Sequence, residues 1–154
     1  MNIMGIDPGK TGAIAILFKP ENEYQLSTYL LEKLVFKGFR DLVHEFSITH
    51  IFLEKAQAMP GQGISSTANY MRDFGRNLGW IESLMIPHTL VSPATWTTEM
   101  HRGCLGKDAK AKSLQAAQRL FPSFNFLASA RSSKPHAGYI DAALIAEYGR
   151  RILK

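Results

Sequence analysis

The sequence predicts an α/β fold: one domain, residues 1–154, with a mixed five-stranded sheet and helices on both of its faces. Three observations predict it. Three short strand-like runs open the chain with only turns between them. Two further short apolar runs each follow a stretch with apolar residues at helical spacing. The last third is helical apart from its loops. The order of elements is therefore βββαβαβ plus C-terminal helices. The two later strands enter through crossovers that lay helices on the sheet.

Residues 2–7 and 12–18 are apolar runs joined at Pro8-Gly9, which reads as strand, turn and strand. Residues 24–31, YQLSTYLL, supply the third strand of an antiparallel meander. In KGFRDLVHEFS, Phe39, Leu42, Val43 and Phe46 recur at helical spacing. HIFLEK is a short apolar strand ending in Glu54, followed by the polar loop AQAMPGQGISS. Ser65 or Ser66 reads as the cap of a long helix running through about Leu84. HTLVS is a fifth strand. Ser92-Pro93 then suits an N-cap with proline at the first helical position, opening PATWTTEM. A basic helix spans 108–120 and stops near Pro122, a polar basic loop runs from 122 to 136, and the last helix covers 137–152.

Composition narrows the class. The chain is 45% apolar and 20% charged, as in ordinary globular proteins. No apolar run approaches the roughly 20 residues of a membrane span. No basic leader with an apolar core precedes the first strand, so the expectation is a cytoplasmic protein. A single cysteine, Cys104, excludes an internal disulfide and a multi-cysteine zinc site. The net charge of +5 is unevenly spread. Residues 1–101 carry eight Lys/Arg against ten Asp/Glu, whereas 102–134 carry seven against Asp108 alone. Such a concentration suits a face that meets a polyanion, or equally a solvated basic surface.

Three carboxylates stand where they can converge. Asp7 ends the first strand and Glu54 the fourth, and ligand sites in open α/β sheets lie outside strand carboxyl ends. Asp141 sits early in the last helix among Ile140, Ala142, Ala143 and Leu144. An aspartate on an apolar helix face needs a partner, because burying a lone charge is costly. Carboxylates ~4–5 Å apart repel one another. A divalent cation removes the repulsion, and oxygen ligation suits Mg²⁺ or Mn²⁺. Such ions support hydrolysis of a phosphodiester. Strand-end and first-turn aspartates are also commonplace turn and cap residues.

The blocks GIDPGKTGAIAI, FLEKAQAMPGQG, VSPATW and HAGYIDAALIAEYGRR, in this order and at these intervals, resemble the RuvC family of Holliday junction resolvases, particularly its short phage-type members. The resemblance covers about residues 2–100 and 134–152. It implies a ribonuclease-H-like fold, a homodimer, and paired Mg²⁺-dependent nicking of four-way DNA junctions in a bacterial or phage-infected cell, with Mn²⁺ able to substitute. It implies metal-ligand and catalytic roles for Asp7, Glu54 and Asp141. One position departs from the pattern. Short phage-type members tend to read His-Asp-Gly where this chain reads His136-Ala137-Gly138. Residues 137 and 141 lie one helical turn apart on one face, so the methyl group of Ala137 stands at a ligand position. The chain then reads as an Asp→Ala variant, natural or introduced, with weakened or absent activity. His136 is either a substitute ligand or general base, or a polar loop histidine.

Contacts to DNA are expected from Gln57, Met59, Gln62 and Ser65 in and after the loop behind Glu54, and from Lys107, Lys110, Lys112 and Lys134 in the basic third. The loop reads otherwise as a plain connection, and the lysines as solubility. Phe74, Leu78 and Ile81, with Gly75 and Gly79, form a stripe that either packs on the sheet or, as in the family, lies at a dimer interface. Two other functions fit parts of this pattern. A nucleotide-binding protein of the actin and sugar-kinase type would need about twice the length and a second phosphate loop, so no nucleotide cofactor is expected. A non-catalytic junction-binding protein of the same fold is the alternative that Ala137 favours.

Overall fold

The computed structural model describes residues 1–9, 11–57 and 63–153. Met59 and Gln62 lie outside the described residues. The opening meander is β1 (Ile3–Asp7), β2 (Ala13–Phe18) and β3 (Gln25–Leu30). A 3-10 turn at Leu31–Lys33, which the sequence reading did not anticipate, leads to α1 (Phe36–Glu45). Then come β4 (His50–Glu54), α2 (Ile64–Ser83), β5 (His88–Val91), α3 (Pro93–Met100), α4 (Ala109–Leu120) and α5 (Ala137–Ile152). The sheet order is β3-β2-β1-β4-β5. The meander is antiparallel, and β4 and β5 run parallel to β1. This is the mixed five-stranded α/β architecture expected.

Alternation along the central strands divides the core. Met4, Ile6, Ile14, Ile16, Ile51 and Leu53 face α1 and the second half of α2, meeting Phe39, Leu42, Val43 and Ile81. Ile3, Ala13, Ala15, Leu17 and Phe52 face α5, with α3 and α4 beyond it. The residues beneath α5 are small for a reason. A Cβ on Gly5 would run into the Ala142 carbonyl oxygen, and one on Gly149 into the Phe52 ring. Helix α5 therefore rests against the backbone of β1 and sets Asp141, the residue before Ala142, close to the end of that strand.

Two local expectations change. No serine caps α2: its N-cap is Gly63, which makes no side-chain capping bond, and Ser65 lies exposed in the first turn. The stripe on α2 packs on the sheet, with Ile81 buried and Phe74 and Leu78 against the α1-side core. Gly75, Gly79 and the half-exposed Met71 take the open side. The expected Ser92 cap is present, accepting from Thr95 N at 3.2 Å, and Asp108, read from the sequence as the first helical residue, instead caps α4 by accepting from Ala111 N at 2.8 Å.

Candidate active site

The register of the central strands brings two of the acids side by side. Gly5 pairs with Phe52 and Ile6 with Leu53, so Asp7 and Glu54 follow as the next pair at the carboxyl ends of parallel neighbours. By alternation both belong to the face that α5 covers, and Asp141 reaches the same place from the helix. All three carboxyls are pushed above their usual range. Burial is the first cause for Asp7, followed by the charges of Glu54 and Asp141. Burial also raises Glu54, which hydrogen bonds from Trp96 and Tyr70 partly offset. Asp141 is pushed up to about 6 by burial, opposed by a hydrogen bond with Ser113, with the charge of Glu54 adding and that of Lys110 subtracting. Asp7 thus feels the charges of both other acids, and Asp141 feels that of Glu54.

This cluster makes a prediction without DNA. A carboxyl raised in the folded state contributes stability below its unfolded pKa, near ~4, and that contribution is lost as pH rises through about 6 for Asp141. The metal-free protein is expected to lose stability over that window. Asp141→Asn removes part of the loss, leaving the variant more stable than the parent at neutral pH by on the order of 2 kcal/mol. Urea midpoints at about pH 4.5 and 7.5 check this. The difference should fade at the acid end.

The donor set suits a hard divalent cation: it is oxygen only, and desolvation disfavours the charge on each of its three acids. The side chains do not yet form a cage. Among the described residues, no three His, Cys, Asp or Glu side chains are arranged to hold a metal ion. Glu54 is held by two donors. Its Oε2 accepts from Trp96 Nε1 at 2.6 Å and its Oε1 from the Tyr70 hydroxyl at 3.0 Å. These two bonds fix its orientation.

Ala137 and Asp141 line one cavity of about 150 Å³, together with Lys110, Ser113, Leu114 and Ile140. Ser113, the partner of Asp141, also meets His101 Nε2 at 3.0 Å. His136 is not brought into the acid cluster. It is the N-cap of α5, where Nδ1 accepts from Tyr139 N at 3.3 Å, and the carboxylate it feels is Glu32. A helix that starts at residue 137 turns the preceding ring away from Asp141.

On the open side of Asp7 lies a cleft of about 700 Å³ lined by Thr11, Tyr70, Arg72 and Arg76 among others. The two arginines flank the buried Asp73, at 3.3 and 3.8 Å. Of the lysines expected at DNA, Lys107, Lys110 and Lys134 are exposed, and Lys112 lies half-buried near His101, whose pKa is lowered by burial first and by the Lys112 charge second. Gln57 is exposed just beyond Glu54. The sequence reading missed Tyr70, Trp96, Arg72, Arg76 and Ser113. A faint signal exists for Trp96: the Ser92 cap fixes it four residues into the turn that follows β5, beside the end of β4.

No protein-family model and no curated protein matches the sequence. Solved structures do match. Thermus thermophilus RuvC in complex with a Holliday junction substrate superposes with a TM-score of 0.66 at 14% identity, covering 99% of this chain and 96% of that one. The chain has the fold of the RuvC resolvases. The yeast mitochondrial Holliday junction resolvase Ydc2 resembles it at TM-score 0.58 and 18% identity over 97% of this chain and 77% of that one. Fowlpox virus resolvase with Holliday junction DNA gives 0.56 at 15% identity over the full length of both. The resolvase fold thus spans nearly the whole chain, with the acid cluster at the open end of its central strands.

Proposed function

We propose that this protein is a structure-selective, divalent-metal-dependent endonuclease that resolves four-way DNA junctions as a homodimer in the cytoplasm. The observation that carries the reading is the cluster of three carboxyls on β1, β4 and α5, all raised in pKa by desolvation, in a fold shared with resolvases solved on junction DNA. Asp7, Glu54 and Asp141 would hold the cation, Mg²⁺ or Mn²⁺. When bound, it supplies Lewis acidity toward the phosphodiester and water of lowered pKa. The chain does the rest. Asp7 is fixed at the end of a central strand. Trp96 pins one oxygen of Glu54, and Ser113 steadies Asp141. The Lys110 charge tempers the negative field, and the Arg72 and Arg76 guanidiniums offer phosphate contacts along the cleft. Two sites related by a dimer axis would cut symmetrically. Among the described residues no helix is long and apolar enough to cross a membrane.

A second reading, a junction-binding protein without nuclease activity, is favoured by one observation: the methyl group of Ala137 beside Asp141. Both readings require selective binding. Without metal, the protein should bind a four-way junction at least about 10-fold tighter than linear duplex, a difference of ~1.4 kcal/mol. Equal affinity would remove both.

The exposed lysines are expected to contact phosphate rather than bases. Lys107→Ala with Lys110→Ala should weaken binding to junctions of all sequences alike. It should also flatten the slope of log K against log salt by about 0.9 per lost contact. A slope unchanged in a salt titration would assign these lysines to solubility.

A further inference from the structure

We infer that Tyr70 is a positioning residue for Glu54: its hydroxyl holds the carboxylate out of the metal-binding arrangement until a phosphate of bound DNA takes that hydroxyl over. The inference rests on the nuclease reading above and deepens it. Three observations meet here. Both Glu54 oxygens are engaged, by Trp96 at 2.6 Å and Tyr70 at 3.0 Å, while no three-ligand group forms among the described residues. The two donors differ in access. Trp96 is only 3% exposed and sits in the α5-side core, so it stays with Glu54 whatever fills the cleft. Tyr70 is half-buried and lines the cleft together with Asp7, Thr11 and Arg76. Its ring also lies over Gly9, where a Cβ would approach within 3.2 Å of Tyr70 Cδ2. The ring is therefore supported from beneath, and its hydroxyl lies between the acid and the space where DNA would pass.

A phosphate oxygen in the cleft competes with Glu54 for one donor. Both acceptors are anionic and make charge-assisted bonds of similar strength, so the exchange costs little. Arg72 and Arg76 bias it toward phosphate by drawing the backbone into the same cleft. Once released, Glu54 keeps its Trp96 bond and is free to turn the other oxygen toward Asp7 and Asp141. Metal binding and DNA binding then favour each other, and linkage requires the effect to be reciprocal. The device would withhold the assembled site from solvent metal until substrate is seated.

The test is calorimetric titration of Mn²⁺ into the full chain and into its complex with a four-way junction, for the parent and Tyr70→Phe. The phenylalanine keeps the ring over Gly9, and an unchanged thermal midpoint verifies the fold. Free Tyr70→Phe should bind Mn²⁺ about 10-fold tighter than the free parent, the order expected for removing one hydrogen bond to a carboxylate. In the junction complex the two should agree within about twofold, so the gain in affinity conferred by DNA shrinks by the same factor. Unchanged or weaker Mn²⁺ binding by free Tyr70→Phe overturns the inference and leaves the nuclease reading standing. Tighter binding by the variant, in a protein that does not prefer junctions, keeps the inference and removes the junction reading. No Mn²⁺ binding in any of the four titrations overturns both.

Discussion

Ala137→Asp should raise single-turnover cleavage of a four-way junction by at least about 10²-fold, some 2.7 kcal/mol of barrier. The residue is the first of α5 and exposed, and it lines the same cavity as Asp141 one turn on. A carboxylate there would enter a space of about 150 Å³ that Lys110 also lines, so there is room for it and the lysine offsets part of the repulsion from Asp141. The first turn of a helix also favours an acid through its dipole, so the change should not loosen α5. On the proposed reading the parent offers three carboxyls for a divalent cation, and a fourth should raise Mn²⁺ affinity together with the rate. A brisk parent, little changed by Ala137→Asp, would contradict this. His136→Ala would then be expected to damage cleavage, although that ring now caps α5 and faces Glu32.

Asp7→Asn should abolish any residual cleavage and leave junction affinity within a few-fold of the parent. Asp7 is the carboxyl on which the others converge: its pKa is raised by burial and by both Glu54 and Asp141. Asparagine keeps the shape at the strand end but removes an anionic oxygen donor. The residues expected to contact phosphate are elsewhere, on α2, α4 and the loops, so binding should persist. Apo binding should tighten at most slightly, because burial and the neighbouring acids already favour the neutral form of Asp7. Gel-shift titrations beside single-turnover assays separate the two effects. A variant that nicks at the parental rate would remove Asp7 from the site.

The fold was largely legible because its signals are local. Buried central strands read as unbroken apolar runs, as in IMGID and AIAILF. Ser92-Pro93 and Asp108 are caps whose geometry involves only the next three residues. Where the signal was not local, reading failed. Nothing near residue 31 announces a 3-10 turn, and α2 begins on a glycine without a capping side chain. The acids could be read as candidates because strand ends and a helix face are pattern features. Their orientation could not. The bonds from Tyr70 and Trp96 to Glu54 join residues 16 and 42 positions apart, and arise from how α2 and α3 pack around the end of β4. The turning away of His136 likewise depends on the exact start of α5.

The measurement that bears most directly on the account is single-turnover incubation of labelled four-way junction and linear duplex with the unaltered protein, with and without Mn²⁺. The account predicts slow nicks on the junction alone, paired symmetrically across it and absent without the metal. Equal cutting of linear duplex, or nicking that persists in chelator, would contradict it.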